Sequence, residues 1–348
     1  MGSGKREERS LVAKVPVRRI APLVLVFLLA FGANLHAGTL DLTVIGMFPK
    51  DASDLGYANL AEARQLPWYP QFAAQEVPVA FFGFDQFLQV IQIRQTSSIS
   101  EVAWASVSAN ISNSEPHAGQ GSKSGEPVAV ALGDFDIDTI KSYLDSKKVP
   151  FIEDGNYTLY SAGLGTGSSS VFFVLLDRQT IAFGPLGPLK HVLRTRDGLE
   201  DSLLQNEPMM SLIGSASGND IFWGVLNSSG AGRVIDRLIP EAANFPQSHD
   251  LISKLTEVMI TVKSADDVEL DFEASSASPA DTVLISQLLQ AGVLVRRYEA
   301  KIDNDPDLAA ALDGLRILPN GNRLDVSLRL TSDQLVGIIE HNVFSMRM

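Results

Sequence analysis

The chain has 348 residues, a formal net charge of −13, 45% apolar side chains and no cysteine. That composition excludes disulfides, thiolate metal sites, cysteine nucleophiles and a lipidated cysteine, and leaves an apolar core to hold the fold. Residues 1–37 carry six basic side chains against Glu7 and Glu8, a net of +4, so the other 311 carry −17, a body that repels phosphate backbones and anionic lipid heads; no nucleic acid is expected as a partner.

The first element in chain order is an export signal. Arg18-Arg19 leads into the apolar run Ile20 to Leu35, and Leu35-His36-Ala37 offers small or aliphatic groups where a signal peptidase inspects them, so residues 1–37 read as a signal peptide cut after Ala37. The alternative is an uncleaved inner-membrane anchor. Crossing a bilayer takes about 20 apolar residues, and this run has 16 with Pro22 and Asn34 inside it. The expected location is periplasmic or extracellular, with membrane contact only through residues 20–35 if the signal stays on.

Residues 38–99 read as an aromatic-rich helical segment. Helices are expected over roughly Ala61 to Gln75, bent at Pro67, and over Phe81 to Ile93, where Phe84, Phe87, Leu88 and Ile91 follow helical spacing. Trp68, Tyr69 and Phe81 are not tied to a buried helical face, because Pro67, Pro70 and Pro78 break the segment. They are therefore candidate partner-binding residues, exposed aromatics being enriched at contact hot spots.

A first α+β half is expected over 100–240 and a second over 241–348. In the first, a strand around Val102 to Val107 precedes a soft insert from Ser112 to Pro127, and Val128 to Leu132 forms a buried strand running into Gly133-Asp134-Phe135-Asp136. Ile137, Ile140, Tyr143 and Leu144 then line a helix ending near Lys147-Lys148. Tyr157 to Ala162 and Val171 to Phe183 read as antiparallel strands. A helix opens at Pro188, another at Asn206-Glu207-Pro208, a strand covers Ile221 to Leu226, and a helix Ser229 to Leu238.

In the second half, Val258 to Val262 and Val268 to Glu273 make a hairpin whose second strand alternates apolar and acidic residues, so that one sheet face is wet. Ser278-Pro279-Ala280-Asp281 starts a long helix to about Ala300, and Asp305-Pro306-Asp307 starts another. Asn320-Gly321 turns a last hairpin, and Thr331-Ser332-Asp333-Gln334 caps a final helix.

The run from Val128 to Leu144 with its Gly-x-Phe-Asp, then Tyr157-Thr-Leu-Tyr160 and Val174 to Gly184, resembles a loose group of exported bacterial proteins of unknown function. The resemblance implies an α+β fold, helices packed on one face of antiparallel sheet, in two similar halves. It brings no catalytic residues with it.

Candidate chemistry is sparse. Asp134, Asp136, Asp138 and Asp145 recur as in a calcium loop, but Thr139 stands where the loop needs glycine and Phe135 and Ile137 are apolar, so a strand end and an Asp-capped helix account for them. Gly163 to Ser170 precedes a strand rather than a helix and lacks the lysine of a phosphate loop. No Gly-x-Ser-x-Gly, Ser-x-x-Lys or His-Glu-x-x-His occurs, and the five histidines lie far apart. The reading is an exported, non-catalytic binding or cell-envelope module with no cofactor and an envelope protein or peptide as partner. The alternative is a secreted hydrolase whose triad assembles from distant residues.

Overall fold

The structure is a computed structural model, described for residues 40–70, 99–107, 125–163, 170–216, 220–227, 248–264 and 267–340. The signal segment, the aromatic run beyond Pro70 including Phe81, residues 112–124 of the insert, residues 164–169 and the helix expected over Ser229 to Leu238 lie outside them.

Twelve strands among these residues are β1 Asp54–Asn59, β2 Ile99–Val107, β3 Glu126–Gly133, β4 Phe151–Asp154, β5 Tyr157–Ser161, β6 Val171–Asp177, β7 Thr180–Pro185, β8 Phe222–Asn227, β9 Leu255–Ser264, β10 Val268–Ser276, β11 Arg316–Asn320 and β12 Arg323–Leu330. Between them stand the helices α1 Leu42–Ile45, α2 Leu60–Ala63, α3 Ile137–Lys147, α4 Leu186–Arg196, α5 Glu207–Ile213, α6 Ser248–Ile252, α7 Pro279–Ile302, α8 Pro306–Gly314 and α9 Ser332–Glu340. The strands form one sheet in the order β11-β12-β10-β9-β8-β1-β2-β3-β7-β6-β5-β4, antiparallel in every registered pair. The protein is α+β.

Two similar halves meet at the middle of the sheet. In one arm β1, β2 and β3 run outward, α3 crosses, and the hairpin β6-β7 returns to pair with β3; in the other β8, β9 and β10 run outward, α7 and α8 cross, and β11-β12 returns to pair with β10. The hairpin β4-β5 is an addition to the first arm. The central strands, Asp54-Leu-Gly-Tyr-Ala-Asn59 and Phe222-Trp-Gly-Val-Leu-Asn227, share a glycine and an asparagine at matching places, and Gly56 lies directly opposite Gly224. The strands after them match too: Ser100-Glu-Val-Ala-Trp104 against Thr256-Glu-Val-Met-Ile260.

Gly56 is needed for space. The Trp104 indole lies across it, so a Cβ built there would stand 2.0 Å from Trp104 Cζ2. Phe222 stacks on Trp104 at 5.7 Å between ring centroids. Tyr57 stacks on Trp223 at 5.5 Å on the opposite face.

Side chains alternate between the two faces of each strand. On one face Ala58, Trp104, Ala129, Phe183, Phe222, Ile260 and Leu324 form a continuous core with α3, α7, α8 and α9. On the other, Leu55, Tyr57, Ala105, Val130, Ala182 and Trp223 pack beneath α1, α4 and α5. The expected single layer of helices is thus found only over β10 to β12. There α9 lies on the same side as α7, whereas α4, its counterpart in the first arm, covers the opposite face. The uncovered face of the second arm carries Lys263–Asp271 at 3.2 Å, Arg329–Glu269 at 3.0 Å and an Arg323–Glu273 pair, the wet face that the acidic alternation of β10 requires.

Local chemistry explains most helix starts. Ser278 Oγ accepts from Asp281 N at 3.2 Å with Pro279 in the first turn, Asp305 accepts from Leu308 N at 3.0 Å, and Thr331 and Gln334 exchange hydrogen bonds as a full capping box. Three expectations need correction. The strand expected from Val171 to Phe183 is the hairpin β6-β7, because Asp177 Oδ1 accepts from Gln179 N at 2.8 Å and turns the chain. β1 and β4 were not anticipated. The helix expected from Ala61 stops after one turn, and successive turns, with Leu66 N donating to Ala63 O and Tyr69 N to Leu66 O, each at 3.1 Å, carry Trp68 back to the sheet.

Candidate functional site

Trp68 and Tyr69 do not present their rings to solvent. Trp68 is 1% exposed and Tyr69 9%, both in the core with Trp104 and Phe222. The turns that replace the expected helix put them there, which corrects the expectation that they form a surface. Phe81 lies outside the described residues.

The four aspartates are not drawn together. Asp136 caps α3, accepting from Thr139 N at 3.1 Å and Thr139 Oγ1 at 2.7 Å, and the hydroxyl's bond is the main reason its carboxyl is held below the usual range. Asp138 faces Arg178 at 4.0 Å, Asp134 and Asp145 are exposed, and Phe135 is buried between Asp134 and Asp136. Among the described residues no three His, Asp or Glu side chains converge as a metal site.

Two polar clusters are partly buried. On α4, His191 Nδ1 shares a 2.7 Å bond with Glu200 Oε2, and Arg194 Nε donates to Glu200 Oε1 at 2.6 Å. Burial pushes the Glu200 carboxyl up, but these two partners outweigh it and hold it below its ordinary value. His191 Nε2 is buried with no hydrogen-bond partner among the described residues. The imidazole and Arg194 together clasp α4 to the loop that carries Glu200.

The second cluster lies at the end of β1. The Tyr57 hydroxyl donates to Glu101, with Glu62 near by; Glu62 is held by Asn59, whose Oδ1 accepts from Glu62 N at 3.1 Å. Burial raises the Glu101 pKa, the hydrogen bond from Tyr57 opposing it, and burial followed by the charge of Glu101 raises that of Tyr57.

The outer face of α7 is different in kind. Its inner stripe, Thr282, Ile285, Ser286, Leu289 and Gly292, is buried on the sheet. A second stripe faces away from it: Val283, Leu284, Leu294, Val295, Tyr298 and Ile302 are 39 to 67% exposed. At 100° per residue these six fall within one outward arc, together with Gln287, Gln290 and Ala291, and that arc holds a single charge, Lys301. From Thr282 to Val295 the helix has no charged residue at all. The exposed faces of surface helices are ordinarily polar. Within this molecule α3 provides the standard, since it holds the corresponding place on the same sheet face and turns Asp138, Lys141, Ser142 and Asp145 outward.

Sequence reading passed over this face because Leu and Val at helical spacing satisfy the expectation of a core helix. Two apolar stripes on one helix, with fourteen uncharged residues in an acidic chain, were the available signal.

No family model matches the sequence, and no characterised protein does. Among solved structures, crystal form I of TP0453 aligns over 86% of this chain and 97% of its own, with 11% identity and a TM-score of 0.44.

Proposed function

We propose that this is an exported protein that works by binding rather than by catalysis, with the outer face of α7 as its contact surface in the cell envelope. The observation that carries the reading is the apolar second stripe of α7. Leaving that much contiguous apolar surface in water is unfavourable, and patches of several hundred Å² on soluble proteins mark contact sites. Export is supported by the basic and apolar N-terminal segment with its small residue at Ala37. No helix among the described residues is long and apolar enough to cross a membrane.

The test is site-specific photocrosslinking in the native host, with the photoreactive residue placed at Tyr298 on α7 or at Lys141 on α3. A discrete crosslinked species from Tyr298 and none from Lys141 is expected. Equal labelling from both sites, or none from either, removes α7 as a contact surface.

A further inference from the structure

We propose that the outer face of α7 is a two-fold contact between two copies of this chain, the two helices packed antiparallel about Ala291. The proposal rests on the reading of α7 as a contact surface and names the partner.

In that orientation the stripe sets residues of different size against each other. Leu284 and Tyr298 each lie seven residues from Ala291, Gln287 and Val295 each four, and Ala280 and Ile302 each eleven. Turning one helix end for end about Ala291 therefore sets the smaller Leu284 against the larger Tyr298 on both sides of the axis. Ala291 is the small residue at the centre of the outward arc, and a small side chain at a crossing point lets helix axes approach to about 8 Å. A C2 interface requires one patch to match itself in this way.

The helix dipoles give the same orientation: antiparallel packing opposes them favourably, whereas parallel packing aligns them.

The area suffices. Six side chains at the stated exposures present on the order of 500 Å² per copy, so a pair covers about 1,000 Å², the lower bound for a specific interface. A lipid surface is the less suitable occupant. Helices that lie on membranes set an apolar face against a strongly cationic one, whereas the second face of α7 is packed on the sheet and the body carries −17.

The chain contains no cysteine, so one introduced cysteine reports on one site. In the exported protein purified from its host, Ala291→Cys should form an intermolecular disulfide under mild oxidation, while Leu284→Cys and the α3 variant Ser142→Cys should not. Sedimentation should give a dimer at about 10 μM, and Leu294→Glu and Tyr298→Glu should each weaken it at least ten-fold with unchanged circular dichroism. A chain that stays monomeric at 100 μM overturns the proposal, as does self-crosslinking at Leu284→Cys, which reports parallel packing. Binding of the monomer to phosphatidylglycerol vesicles through Tyr298 overturns it in favour of lipid. The failures are distinct. A Tyr298 photocrosslink to another protein ends the two-fold pairing and leaves α7 a contact surface, whereas no crosslink at Tyr298 ends both.

Discussion

The two crossing helices, α3 and α7, answer the same demand of the fold in different ways. Each follows the outward-running strands of its arm and buries one stripe on the same sheet face, Ile140 and Leu144 from α3 and Ile285 and Leu289 from α7. The outside of α3 is acidic, basic and hydroxylic, and it serves the fold fully. The apolar outside of α7 is therefore surplus to folding, and only something beyond the described fold accounts for it. The same contrast recurs in the sheet. The first arm is covered on both faces by α3 and α4, while the second arm leaves one face to a ladder of ion pairs.

The largest expected effect is at Trp68, which is fully buried in the core, so Trp68→Ala should cost about 3 to 5 kcal/mol in urea denaturation. A cost under about 1 kcal/mol would show that the turns after α2 do not hold it in place. Next in size is the central glycine pair. Gly56→Ala drives a methyl into the Trp104 indole and should cost about 3 kcal/mol, the upper part of the range for overpacking. Gly224→Ala meets Phe222 Cζ only at 3.5 Å, ordinary contact, and should be neutral or stabilise by about 0.5 kcal/mol through the unfolded chain. Equal penalties at the two positions would mean that the arms are alike in packing as well as in pattern.

Smaller still are the caps of the two compared helices. Ser278→Ala at α7 should cost about 1 kcal/mol, and Asp136→Ala at the exposed start of α3 should lower the melting temperature slightly. Because Thr139 occupies the Asp136 carboxylate, millimolar calcium should leave the melting temperature where it was. A site filled to ~100 times its dissociation constant would add ~2.7 kcal/mol, which a melting curve resolves.

What was legible in the sequence follows the range of the physics involved. Capping is local, so the starts of α7, α8 and α9 could be read from Ser278, Asp305 and Thr331 within a residue or two, and the Asn320-Gly321 turn from its dipeptide. β10 was read from the alternation of Val268, Leu270 and Phe272 with acids. β1 could not be read that way. Asp54, Gly56 and Asn59 are poor strand formers, and the strand exists because Gly56 admits Trp104, 48 residues away in sequence, and because β8 supplies Gly224 opposite. The internal repeat of Gly-x-x-Asn followed by Glu-Val was present in the sequence, but its two copies are short and differ at Trp104 and Ile260. Trp68 was misplaced for a related reason: proline spacing says that a helix breaks, and says nothing of which way the chain then turns.

The smallest effect expected concerns Glu101, where the arms differ by one tyrosine. Asn59 pairs with Glu101 across β1 and β2, as Asn227 pairs with Glu257 across β8 and β9. Tyr57, which donates to Glu101, has Val225 at its counterpart position. Burial raises the Glu101 pKa, so the folded chain keeps this proton at a pH where the unfolded chain has lost it. Its contribution to stability is therefore complete below the ordinary carboxylate pKa of about 4.3 and is lost as pH rises through the folded value. Glu101→Gln keeps an oxygen to accept from Tyr57 and removes the titration. Relative to the wild type, the variant should gain stability as pH rises from the ordinary carboxylate pKa of about 4.3 to the folded-state value and hold level above it, a trend read from urea midpoints at several pH values. A difference independent of pH would mean that Glu101 titrates alike in the folded and unfolded chains, and that the first arm's additional tyrosine contributes only packing against Trp223.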